Sequence, residues 1–362
     1  LKYLNLLLVF AVVAIAADLL GWSPTLVFIA SGLAMIPLAG LMGQSTEALA
    51  VHTGPRLGGL LNATLGNAAE LIITIMALRE GLLNPAINEH MLELVRASLT
   101  GSIMGNILLV LGLSVLVGGL RHGVQKFDRS HAGTNATMLT LAVAALVIPS
   151  IFSHSIEIVN HDAVEYLSLG VAGVMIVLYV LSLVYQLRDP RAHTYEDDEY
   201  AAAEIDAPHW SVPRALVMLL VATGAIVWMS ELLVGTIEHV VLELGVTQFF
   251  VGIILIPLVG NVAEHLVAVT VAAKNQMELS LAISVGSSLQ IALFVAPLLV
   301  FISLMMGNPL TLVFNQFELI AMMAAVLIAG LVSLDGESHW LEGAMLLAIY
   351  VIIALGFFWL PM

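Results

Sequence analysis

Gly66-Asn67-Ala68-Ala69-Glu70 recurs later in the chain as Gly260-Asn261-Val262-Ala263-Glu264. Each copy sets a carboxylate inside an apolar run of membrane-spanning length, where an uncompensated charge costs at least ~2.5–3.5 kcal/mol. A neighbouring hydroxyl or amide can neutralise one such acid. Two acids at matching positions of a repeat point instead to a cargo that compensates them. The least costly compensators are a bound cation and a proton, and a site that accepts each in turn is expected to be an exchanger.

The rest of the composition sets the environment of these motifs. Of 362 residues, 60% are hydrophobic and only 10% charged, which excludes an ordinary soluble protein and predicts an all-α polytopic membrane protein embedded in a lipid bilayer. With no cysteine, disulfide frameworks, thiolate metal sites and thiol nucleophiles are all excluded. The net charge of −15 argues against a nucleic acid partner. Leu4 to Leu20 is followed by further apolar runs rather than a small-residue cleavage site, so it reads as a retained helix.

Apolar runs separated by short polar breaks predict eleven spans, near residues 4 to 20, 25 to 50, 58 to 79, 91 to 119, 134 to 152, 163 to 187, 212 to 239, 247 to 274, 277 to 306, 316 to 334 and 340 to 360. The thinnest separation is Lys274-Asn275-Gln276 with Glu278. With a cytoplasmic N-terminus, Lys2, Arg56, Arg121, Lys126, Arg129, Arg188, Arg191, Arg214 and Lys274 all fall inside, and only Arg79 and Arg96 fall outside. That bias supports an odd number of spans and an outward C-terminus. The expected location is a multi-pass position in a prokaryotic cell membrane.

One composition shift divides the chain. Residues 188–211 carry Glu196-Asp197-Asp198-Glu199, Glu204 and Asp206, an acidic cytoplasmic loop that reads as a solvated linker or a weak attractor of divalent cations. It lacks the alternating Asp pattern and glycine of an EF-hand loop. Around it lie a leading helix (1–24), a first set of five spans (25–187) and a second set (212–362). Both sets run through the same features in the same order. The first has Thr46-Glu47-Ala48-Leu49 with Gly54, then Gly-Asn-Ala-Ala-Glu, then Ala97-Ser98-Leu99-Thr100-Gly101-Ser102. The second has Ile237-Glu238-His239-Val240 with Gly245, then Gly-Asn-Val-Ala-Glu, then Ala282-Ile283-Ser284-Val285-Gly286-Ser287. An odd number of helices per copy makes the second copy enter the membrane from the opposite face, an inverted repeat.

Gly66 and Gly260 each cost ~1 kcal/mol in a helix interior relative to Ala, and each directly precedes the Asn. A break there frees backbone carbonyls for a cation, with Asn67 or Asn261 as the N-cap of the following half-helix. Asn67 and Glu70 are three apart, as are Asn261 and Glu264, so each pair shares a helical face. Calcium takes six or more oxygen ligands. Glu70, Glu264 and the carbonyls beside the two glycines supply some of them; Ser102, Asn106, Ser287, Ser288 and Gln290 on the fourth and ninth spans are candidates for the rest. Ser102 and Ser288 read equally well as helix-packing residues, whereas Asn106 and Gln290 are costlier to bury and read as ligands or orienters. With no metal bound, two negative charges in a low-dielectric cavity repel and retain protons; a divalent ion displaces them.

His265 has no counterpart in the first copy, where Leu71 stands, and reads either as a tuner of Glu264 and proton carrier or as a buried histidine satisfied by an amide. Glu47, Glu231 and Glu238 are candidates for an ion path or gate. His154, Glu157, His161, Asp162 and Glu165 form a polar outward connection, and Asp335-Gly336-Glu337-Ser338-His339 a cytoplasmic turn.

These motifs, with Gly101-Ser102-Ile103-Met104-Gly105-Asn106, Gly286-Ser287-Ser288-Leu289-Gln290-Ile291, the acidic loop and Trp340-Leu341-Glu342-Gly343, resemble the cation/proton exchanger family of the calcium/cation antiporter superfamily. The resemblance covers essentially the whole chain. It implies eleven helices, one leading and two inverted sets of five, exchanging cytosolic calcium for protons from outside. It also implies Glu70 and Glu264 as alternating calcium and proton sites, with Asn67, Asn261, His265, Ser287 and Gln290 around them. The Gly-Ser-x-x-Pro-Glu motif of the sodium/calcium branch is absent. Calcium is thus the expected substrate and no cofactor is expected. Manganese or another divalent ion, and a passive cation channel, stay as alternatives. A membrane metalloenzyme built on Glu264 and His265 fails for want of a His-Glu-x-x-His spacing.

Overall fold

The computed structural model describes residues 4–53, 61, 64–157, 162–188 and 210–360, without the side chains of 154–157, 162, 186–188 and 263. Lys2, Gly54, Arg56, His161 and all of the acidic loop from 189 to 209 therefore lie outside the described residues.

Helices make up nearly all the regular structure. A 3-10 turn (Leu4–Leu8) leads into α1 (Val9–Leu19), followed by α2 (Pro24–Thr53) and α3 (Ala68–Leu83). Next come α4 (Asn88–Met104), a π-helical turn at Gly105–Val110 and α5 (Leu111–His122). Strand β1 (Gln125–Lys126) precedes α6 (Arg129–Glu157) and α7 (Asp162–Arg188). Then come α8 (Val212–Leu244), a π-helical turn at Val251–Leu255, and α9 (Ile256–Ala273). The chain continues through α10 (Met277–Gln290), a third π-helical turn at Ile291–Val295, α11 (Ala296–Met306), α12 (Gln316–Val332), strand β2 (Glu337–Ser338) and α13 (Trp340–Phe358).

Local chemistry sets these boundaries. Proline stands in the first turn of α2 and α8, where its missing N–H has no helical partner to lose, and directly after a π-helical turn in α9 and α11. Gly245 (φ 64°) and Gly307 (φ 79°) close α8 and α11 in the left-handed conformation. Asn275 adopts the same conformation at φ 64° between α9 and α10, so the thin separation at Lys274-Asn275-Gln276 is a real helix break. Asn315 and Glu318 form a reciprocal capping box at the start of α12.

Every expected span is helical over most of its described residues, the third being interrupted at Gly66 and Asn67, but length and apolarity do not qualify all eleven. Among the described residues seven helices can cross a membrane alone, and eight if Gln248–Val262 and Glu264–Ala273, bent by 68°, count as one span. Leu4–Leu19 and Gln316–Val332 are apolar but short, and α3 is described over only 16 residues. The chain is an all-helical, multi-pass membrane protein.

Two compact units draw on both halves of the chain. The first comprises residues 1–80, 181–246 and 258–263. Within it α8 lies along α2, and Gly32 faces Leu233 and Val259. Hydroxyls of Thr223 and Ser230 reach the sulfurs of Met42 and Met35 at 3.9 and 4.0 Å. Thr25 donates to the Glu243 carboxylate, and Arg79 pairs with Glu231 at 2.7 Å.

The second unit comprises residues 81–180, 247–257 and 264–362. Its core is the α4–α5 span: 72% of the most apolar window of Pro85–His122 is buried, against 22% for Ala163–Tyr185 and for α13, which leaves those two to lipid. Close approach depends on glycine. A Cβ on Gly101 would collide with the backbone of Ile253, and one on Gly343 with the backbone of Leu116.

Between α11 and α12 the chain leaves helical geometry, so its backbone donors need partners elsewhere. Three serines supply them: the N–H groups of Leu310, Leu312 and Phe314 donate to the hydroxyls of Ser303, Ser168 and Ser150 at 2.8, 3.0 and 2.9 Å.

At one end of this unit β1 and β2 pair antiparallel, Gln125 with Ser338 and Lys126 with Glu337. The expected turn at 335–339 is thus also a sheet edge, with Gly336 at φ 77°. Gln125 donates to the carbonyl of Ala272 at 3.0 Å, and a ring nitrogen of His122 lies 2.9 Å from that of Ala273. The last turn of α9 is held by both.

Candidate functional site

Within the first unit, the chain breaks where the sequence predicts it. Gly66 and Asn67 form a turn; α3 begins at Ala68, and the Asn67 carbonyl accepts the Leu71 N–H at 3.0 Å, so Asn67 occupies the N-cap position. Glu70 follows in the first turn of α3, fully buried, with Asn67 buried beside it. The second motif crosses here. A Cβ on Gly260 would lie 3.8 Å from the Cα and Cβ of Glu70 and 3.6 Å from Ile73, so the turn bearing Glu70 faces Gly260 with room for no more than a methyl group. Asn261, also buried, is the next residue.

The second copy behaves differently at Gly260. There α9 stays hydrogen-bonded through Gly260 and Asn261, and the bend falls between Val262 and Glu264. The physical reason lies upstream. Pro257 lacks an N–H, and the π-helical turn at Val251–Leu255 absorbs the missing bond one turn earlier. The glycine is then free to serve packing.

Within the second unit, four predicted residues form one hydrogen-bonded group. Half-buried Glu264 accepts from the Ser287 hydroxyl at 2.9 Å. Ser287 in turn accepts from the side-chain amide of Asn106 at 3.0 Å. The Asn106 oxygen faces Nε2 of His265 at 3.2 Å. His265 is thus satisfied by an amide, and Asn106, 1% exposed, joins it to Ser287. Two of the three π-helical turns described in this unit adjoin the group: Asn106 is the second residue of one, and the other begins four residues after Ser287, directly behind Gln290. Such turns rotate side chains out of α-helical register and recur at functional sites.

The remaining candidates separate by partner. Ser288 donates to the carbonyls of Ser284 and Ile103 at 3.1 and 3.4 Å, a packing role between α10 and α4. Ser102 is buried on α4 and Gln290 half-buried at the end of α10. Glu47 on α2 and Glu238 on α8 are half-buried, while exposed Glu231 is engaged by Arg79. Of the polar cluster near 154–165, only Glu165 has a described side chain.

One buried acid escaped the sequence reading. Glu318, 1% exposed, accepts the Asn315 N–H at 2.8 Å and interacts with Thr100 and Arg96 of α4. Its signal was the Asn-x-x-Glu of a capping box, which marks a helix start rather than a site.

Among the described residues no three His, Asp or Glu side chains gather closely enough to hold a metal. A hard divalent cation would therefore need amide, hydroxyl and backbone oxygens besides carboxylate, the ligand mixture calcium accepts.

Residues 23–188 and 214–359 match the sodium/calcium exchanger protein family. The Ca2+/H+ antiporter of Synechocystis sp. is 45% identical over 99% of this chain and 98% of its own length. The Ca2+/H+ antiporter ChaA of Bacillus subtilis is 43% identical over 95% of each. The solved structure of native YfkE superposes with a TM-score of 0.83 at 40% identity, over 99% of this chain and all of that one. This chain belongs to the Ca2+/H+ antiporter family, the cation/proton exchangers, within the sodium/calcium exchanger superfamily, and is a membrane transporter rather than an enzyme.

Proposed function

We propose that this protein moves calcium out of the cytosol in exchange for protons by alternating access, with Glu70 and Glu264 as the groups that each ion occupies in turn. The observation that carries the reading is the enclosure of both motif acids among oxygen-bearing neighbours: Glu70 buried beside Asn67 and against Gly260, Glu264 held by Ser287. Buried carboxylates need a counter-charge or a proton. Calcium supplies the first and displaces the second, so occupancy by one excludes the other and the two fluxes are coupled.

Carboxylate oxygens of Glu70 and Glu264 bind the metal, with Asn67, Asn261, the carbonyls of Gly66 and Gly260, Ser287 and Gln290 completing or orienting the shell. The chain is read as one leading helix (1–24) and two inverted five-helix repeats (25–187 and 212–362) around the acidic loop (188–211), with the N-terminus cytoplasmic and the C-terminus outward. Support for the repeat comes from the matched π-helical turns, which begin three residues after Ser102 and four after Ser287.

The test is calcium uptake into inverted membrane vesicles under an imposed pH gradient. Uptake should follow the gradient in the native protein and fall to background in Glu70→Gln and in Glu264→Gln. Uptake indifferent to the gradient would remove proton coupling from the reading, and uptake surviving either substitution would remove that carboxylate.

A further inference from the structure

We infer that Asn106 is a positioning residue for calcium binding: it acts on Glu264 through Ser287 and ties His265 to the same group, without itself contacting the ion. The inference rests on the reading of Glu264 as a calcium-binding carboxylate.

Donor and acceptor logic carries it. In the state that binds calcium Glu264 is ionised and can only accept, so the single Ser287 hydroxyl hydrogen points to its Oε2, 2.9 Å away. Ser287 must then act as acceptor toward Asn106, which places the amide NH2 of Asn106 against Ser287 at 3.0 Å. The amide oxygen is thereby turned to His265, and Nε2 of that ring, 3.2 Å away, carries a hydrogen. Each assignment forces the next. The nitrogen of Asn106 cannot ligate a cation and its oxygen already faces an N–H, so both ends of the amide are committed to holding other side chains.

The backbone fits this role. Asn106 lies in the π-helical turn Gly105–Val110 and is 1% exposed, enclosed on the most buried of the seven membrane-length helices among the described residues. A buried amide with defined partners is a rigid reference against which a carboxylate can be oriented, as outer-shell groups orient metal ligands.

The test measures calcium affinity by equilibrium binding of radioactive calcium to the purified full-length protein, without a pH gradient. Thermal unfolding of the calcium-free protein is followed in parallel. Asn106→Leu should weaken calcium binding roughly tenfold, the usual consequence of losing a hydrogen bond that serves a charged group. Asn106→Asp keeps the shape but offers Ser287 a competing acceptor, and should also weaken binding. In a Ser287→Ala background, Asn106→Leu should add less than about a further twofold, because its route to Glu264 is already cut.

Wild-type affinity in Asn106→Leu would overturn the proposal. So would tighter binding in Asn106→Asp, the mark of a direct ligand, or losses that multiply in the double variant. A merely structural asparagine would lower the unfolding temperature and leave the affinity of the folded protein unchanged, which is equally fatal. If transport proves indifferent to the pH gradient, proton coupling fails while these affinities still decide the role of Asn106. If Glu264→Gln binds calcium as the native protein does, the carboxylate assignment fails and the inference falls with it.

Discussion

Glu264 accepts a hydrogen bond from Ser287, whereas Glu70 sits against a glycine, and the two motif acids therefore tolerate change differently. A methyl group on Gly260 would meet Ile73 and Glu70 only at ordinary contact distances of 3.6 and 3.8 Å. Gly260→Ala should accordingly shift calcium affinity by less than about threefold, while Gly260→Leu, forcing a branched side chain into the turn bearing Glu70, should weaken it about tenfold or more. Equilibrium calcium binding on the purified variants checks both. Equal effects of Ala and Leu would mean that Gly260 matters through its backbone rather than through the space it leaves.

Repetition is what made these residues legible. One intramembrane Glu has many explanations; two, each behind Gly-Asn, have few. The roles of the surrounding hydroxyls were not legible, because Ser287 and Ser288 are adjacent and chemically identical. Which faces Glu264 and which faces a helix carbonyl depends on the rotation of α10 about its axis, a tertiary property.

Among the elements, helices were plain from apolarity, and their ends from Pro, Gly and Asn. The three π-helical turns were not, since an extra residue in a turn has no compositional mark when every neighbour is apolar. Nor was the two-residue sheet, which is shorter than any pattern of alternation. Helix contacts followed glycine where a backbone approaches. Gly101→Ala should destabilise the protein by ~1–3 kcal/mol, because its methyl must displace the main chain of Ile253 rather than a flexible side chain. A thermal unfolding series in detergent reads this directly, and Gly105→Ala, with open space around the new methyl, is the matched control.

For the whole molecule, the natural absence of cysteine makes membrane orientation directly measurable. Lys126 and Glu89 both have largely exposed side chains, 79% and 73%, and fall on opposite sides in the arrangement argued from Lys and Arg. Lys126→Cys should react with a membrane-impermeant maleimide only in inverted vesicles, and Glu89→Cys only in right-side-out ones. Labelling of both from one side would undo the odd span count between them. The number of spans was harder to read than their existence, because α12 and the first helix are too short to qualify by length alone.

The sheet edge at β1 and β2 gives the Glu264 helix a mooring. Gln125 and His122 grip the final carbonyls of α9, and Gln125 belongs to the strand that pairs with Glu337 and Ser338. A pull on the 335–339 turn is therefore passed along two short strands and a glutamine to the far end of the helix on which Glu264 rides. That end is tied to two neighbouring segments, and Glu264 stands between it and the bend in α9.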